Sequence, residues 1–128
     1  MDDAQIQRTL TEARGYADLG FHQDAWDLVE SLPFDSSRLL PQAIAVRLLV
    51  CAGLKKWVMG AELVRLIAQF HPLSEREAAG RFHLAHAESL CAAGDVLAAR
   101  ESVKALSTIW PEGRELVTGA KTLAAIWP

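Results

Sequence analysis

Gly94-Asp95-Val96-Leu97-Ala98-Ala99-Arg100-Glu101-Ser102-Val103, closed by Pro111, is the stretch whose reading decides the fold. It has the spacing G-x4-A-x3-V-x7-P. A glycine can adopt the left-handed conformation that ends one helix, the small Ala99 lets the next helix approach closely, and Pro111 stops that second helix. Weaker forms of the unit occur twice earlier, at Gly20, Ala25 and Val29, and at Gly53, Gly60 and Val64 with Pro72. Ala25 to Gly60 is 35 residues and Gly60 to Ala99 is 39. Recurrence at that interval marks a stack of helix pairs, each unable to bury its apolar face alone.

Composition agrees. A chain of 128 residues suits one domain with a moderate core, and 51% hydrophobic against 23% charged residues predicts an ordered globular protein. Thirteen basic and sixteen acidic side chains leave a net charge of -3, the wrong sign for gripping nucleic acid. No apolar run approaches the roughly 18 to 20 residues that cross a bilayer, so no membrane insertion is expected. Met1-Asp2-Asp3-Ala4-Gln5 is polar with no apolar core behind it, unlike a secretory signal. These features predict a cytoplasmic protein or a soluble domain of a longer chain.

Helical periodicity gives seven segments. The first, about 3–19, carries Ile6, Leu10, Ala13 and Tyr16 on one stripe, and the second, about 22–32, carries Ala25, Leu28, Val29 and Leu32. Pro33 to Ser37 reads as a loop, and Pro41 suits the first turn of the third helix. Ala43 to Cys51 is apolar on nearly every side apart from Arg47, as for a helix covered on both flanks. The fourth helix, about 57–70, buries Gly60, Leu63, Val64, Ile67 and Phe70. Ser74-Glu75-Arg76-Glu77 has the capping-box pattern and starts a long fifth helix. Val96, Ala99, Val103, Leu106 and Ile109 line the sixth. The last helix, about 112–127, places Leu116, Val117, Ala120, Leu123 and Ala124 against the third unit.

On these residues the chain resembles the tetratricopeptide repeat (TPR) family, whose period is roughly 34 residues, over nearly its whole length. The third unit matches best, with Ala87 at the small helix-A position and Leu90 where the family often has an aromatic residue. The first matches at Ala13, Tyr16, Gly20 and Ala25, with Pro33 early. The second needs two extra residues between Gly53 and Gly60, with Trp57 in the aromatic place before helix B. The family's early helix-A Trp is absent from all three units. The resemblance implies an all-α, right-handed superhelical solenoid of about three antiparallel helix pairs plus a C-terminal capping helix. Its repeats would span about 3–33, 39–72 and 75–111, with the cap at about 112–127.

Chemistry is sparse. His83 and His86 lie on one face of the fifth helix, but Glu88 and Cys91 stand five residues from them, about 140° around the helix. HExxH is absent, so no metal site is expected. Cys51 and Cys91 read as reduced, buried thiols. No nucleophile elbow, P-loop or dinucleotide-binding glycine pattern occurs, so neither catalysis nor a cofactor is expected.

What the resemblance implies instead is a non-enzymatic scaffold whose concave groove holds a peptide or protein partner. Alternatives are a small secretion-type chaperone for an unstable partner and an accessory domain of a larger enzyme. Groove-facing family positions map onto Gln7, Leu10, Arg14 and Ala17, then Ala43, Ile44, Arg47 and Val50, then Arg81, Leu84, Ala85, Glu88 and Cys91. The Lys and Asn of the family's carboxylate clamp are replaced by Leu10, Arg14, Ile44 and Ala85, so binding of chaperone tails is not implied. Arg14 and Arg47, placed equivalently, either pair with an acidic or amphipathic partner segment or serve structure, for example against Glu88. Trp127 either offers a docking point for a second copy, making a homodimer, or folds back on the third repeat.

Overall fold

The computed structural model describes residues 2–33, 40–68, 73–120 and 123–127, with the side chains of 40, 66–68, 73 and 74 also outside the description. The expected loop after Pro33, the stop at Pro72, the capping-box serine Ser74 and the inner-face residues Ile67 and Phe70 lie outside what is described. Among the described residues every regular element is helical: α1 (Asp3–Asp18), α2 (His22–Glu30), α3 (Leu40–Leu54), α4 (Trp57–Ala68), α5 (Leu73–Ala92), α6 (Val96–Ile109) and α7 (Arg114–Thr118). Single 3-10 turns at Pro111–Gly113 and Ala124–Ile126 flank α7.

The helices pack as hairpins in chain order, α1 with α2, α3 with α4 and α5 with α6. First helices also touch one another, α1 with α3 and α3 with α5, and each second helix meets the first helix of the next hairpin through α2 with α3 and α4 with α5. Three apolar clusters follow. Ile6, Leu10, Ala13, Ala25 and Val29 enclose Val46 and Val50 of α3. The opposite flank of α3, Ile44, Leu48 and Cys51, joins Val64, Ala79 and Phe82. Ala87, Ala99, Val103, Leu106 and Trp110 close over Val117 and Leu123. The all-round apolar character of α3 is thus explained by burial on two sides.

The same turn joins the helices of each hairpin. Gly20 N–H donates to the Ala17 carbonyl (3.0 Å) and Phe21 N–H to Tyr16 (2.9 Å). Lys55 donates to Ala52 (3.4 Å) and Lys56 to Cys51 (2.8 Å); Gly94 donates to Cys91 (3.0 Å) and Asp95 to Leu90 (2.9 Å). Each is a Schellman pair that satisfies the last carbonyls of the first helix. Its left-handed residue has φ of 88° at Gly20, 58° at Lys55 and 84° at Gly94. Lys55, not Gly53, is therefore the counterpart of Gly20 and Gly94. It stands five residues before Gly60, as Gly20 stands before Ala25 and Gly94 before Ala99, so the second unit has no two-residue insertion.

A side chain in that conformation costs about 1–2 kcal/mol, partly offset by the entropy a glycine would lose on folding. Lys55→Gly is expected to stabilise the protein by about 0.5–1 kcal/mol, raising Tm by a few degrees in a thermal melt. A Tm that stays constant or falls would show that the lysine stem contributes more than the strain costs.

The expected continuous helix over about 112–127 is broken. α7 ends at Thr118, and Gly119 N–H donates to Glu115 (2.9 Å) while Ala120 donates to Val117 (3.1 Å). Glycine is a poor helix interior, and here the chain leaves the helix and buries Val117 and Leu123 separately while Leu116 stays exposed. Trp127 is partly buried and packs back against the third cluster.

Candidate functional site

One cavity of about 570 Å³ is walled by all three first helices. Arg14 comes from α1, Gln42, Ala45, Val46, Leu48, Leu49 and Ala52 from α3, and Glu75, Glu77, Ala78, Arg81, Phe82 and Ala85 from α5. Alanines at 45, 52, 78 and 85 keep the floor low. Arg14 is exposed and makes no ion pair among the described residues. Across the cavity the Arg81 guanidinium is held by Glu77 at 3.0 Å and lies 5.5 Å from the Trp110 ring centroid. The polar wall is thus mixed in sign, with Arg14 unpaired among the described residues.

Of the expected groove positions, Arg14, Arg81 and Ala85 line this cavity, whereas those expected from α3 do not. Leu10, Val50 and Ile44 are buried, and Ala17 with them, because they fill the first and second clusters. Ala43 packs partly buried against the first cluster. Arg47 turns toward α2, donating to the Glu30 carboxylate at 2.9 Å and to the Val29 carbonyl at 3.3 Å. It ties α3 to the preceding hairpin; Glu88 is not the partner in that pair. Gln7 and Glu88 are exposed but lie outside the cavity wall, and Leu84 and Cys91 pack against the third cluster.

For α3 the difference has a single source. Anchoring the second unit on Gly53 carries Leu10, Arg14 and Ala17 onto Ala43, Arg47 and Val50. Anchoring it on Lys55 carries Gln7, Leu10, Arg14 and Ala17 onto Gln42, Ala45, Leu49 and Ala52, all four of which line the cavity. The signal was the five-residue interval from Lys55 to Gly60, hidden because the left-handed residue is not a glycine.

Phe82 belongs to no sequence motif, yet it is fully buried and central. Its ring lies against Gly60, where a Cβ would collide with it. Trp57 stacks on the His86 imidazole at 4.6 Å, with Phe82 5.7 Å from Trp57 and 5.6 Å from His83. Burial pushes the His83 pKa down to about 4, helped by the neighbouring His86, and burial lowers His86 as well. Both imidazoles are thereby kept neutral, as packing groups. Among the described residues no three His, Cys, Asp or Glu side chains gather closely enough to hold a metal ion. Cys51 is buried, which raises its thiol pKa, and neither Cys51 nor Cys91 forms a disulfide among the described residues.

Compared with protein-family models, with curated proteins and with solved structures, the chain finds no match in any of the three. No described helix is long and apolar enough to cross a membrane.

Proposed function

We propose that this chain is a TPR-like, right-handed solenoid of three helix pairs that acts as a binding scaffold rather than a catalyst, holding a protein segment in the cavity along α1, α3 and α5. The observation that carries the reading is that the first helices of all three hairpins wall one concave surface with a floor of alanines. Small side chains let a helix or extended strand of a partner come close, and Leu49 with Phe82 supply apolar contact. Arg14 favours a partner carboxylate at the α1 end. Glu75 and Glu77 on the opposite wall disfavour a uniformly acidic segment, so an amphipathic segment of mixed charge fits better.

Peptide display against the immobilised protein tests this. Wild type is expected to enrich amphipathic peptides whose binding, read by fluorescence polarisation, is lost in Ala45→Arg with Ala85→Arg and weakened about tenfold in Arg14→Glu. Peptides that bind wild type and the double arginine variant equally would place recognition elsewhere.

A further inference from the structure

We propose that the edge formed by the hairpin turns is a self-association surface, through which two copies pair antiparallel with the first turn of each on the second turn of the other. Apart from Leu116, every exposed large apolar side chain among the described residues lies at one of these turns. Tyr16, Leu19 and Phe21 surround the first, Val58 and Met59 the second, Val96 and Leu97 the third. Leu19 is 73%, Val58 80% and Leu97 74% exposed, at places where a lone domain has no need of an apolar residue. Val58 and Leu97 stand 39 residues apart, the interval between the second and third turns. Between the second and third turns the exposure therefore repeats with the hairpins.

The first two turns lie side by side. The His22 ring, just after the first, sits against Gly53, just before the second, and Lys56 Nζ is 4.9 Å from the Trp26 ring centroid. Their charges are opposite: exposed Asp18 and Asp24 flank Leu19 and Phe21, whereas exposed Lys55 precedes Val58 and Met59. A two-fold axis between the turns sets the acidic turn of each copy on the basic turn of the other and buries four apolar side chains from each. Parallel apposition would set like charge on like. Charge complementarity with the turn's own neighbour thus selects a second copy as occupant, and the isologous arrangement closes as a dimer.

Sedimentation equilibrium from micromolar to millimolar chain concentration tests this, with circular dichroism confirming that each variant is folded. Wild type is expected to dimerise, and Val58→Asp to remain monomeric. Asp18→Lys and Lys55→Glu should each weaken the dimer about tenfold. Combining them in one chain should restore it, since each acidic turn would then meet a reversed partner. A wild type that stays monomeric at millimolar concentration overturns the proposal, and co-sedimentation of that monomer with phospholipid vesicles would assign the edge to a membrane instead. A dimer indifferent to Val58→Asp, or single reversals that the double reversal fails to rescue, would equally overturn the proposal.

Discussion

Trp110→Ala is expected to lose about 3–5 kcal/mol of stability, read from the urea midpoint at constant m, because its side chain joins three parts of the third hairpin. Trp110 is only 7% exposed, packs in the third cluster and carries the Arg81 guanidinium on its face. Gly80 of α5 and Gly113 after α6 both lie against its ring, so closely that a Cβ at either would collide with it. Gly80 weakens the interior of α5 by about 1 kcal/mol relative to alanine, a cost accepted for the close approach of the indole. The cost should couple to the ring: Gly80→Ala should destabilise wild type, where the ring must shift, and cost less in the Trp110→Ala background, where the ring is gone but the Cβ of residue 110 still lies 2.8 Å from the added methyl. Additive effects in the double variant would remove Trp110 as the reason for Gly80. A loss below about 1 kcal/mol in Trp110→Ala would show that the hairpin closes without it.

Acid is expected to destabilise the protein through His83. Its folded pKa of about 4 lies below the ordinary histidine value of 6.5, so between those limits the unfolded chain binds the proton more readily. Stability is therefore full above about pH 6.5 and falls as the pH drops toward 4, by at most about 3 kcal/mol from this group. His86, depressed by burial, acts in the same direction. Urea midpoints measured from pH 7 to 4 should fall, and His83→Phe, which fills the same site beside Phe82 without a titrating group, should flatten the curve. Equal slopes in wild type and His83→Phe would show that His83 is not the acid-sensitive group.

The architecture was largely legible. Six of the seven helices fall where periodicity and the Gly and Pro positions put them, because amphipathic spacing and helix stops are local properties of the chain. The cavity-lining face of α1 could be read in part, since its buried stripe is narrow and leaves Arg14 on the other side. That of α3 could not. Its residues are apolar all round, so no stripe points to the core, and its register depended on an anchor glycine that this repeat lacks.

The sequence by itself determined that the chain would form helices in pairs, where the first and third pairs would turn, and that α3 would be covered on both flanks. These outcomes rest on backbone conformational preference and on side-chain period, both of which act within a few residues. Only the tertiary structure decided that Lys55 holds the left-handed turn, that Arg47 serves the preceding hairpin while Arg14 faces the cavity, and that the C-terminal segment breaks at Gly119. The same holds for the glycines at 60, 80 and 113, whose partners Phe82 and Trp110 are set by packing between helices. Which face of an apolar helix looks outward depends on what its neighbours leave uncovered, and that is fixed only when the neighbours are in place.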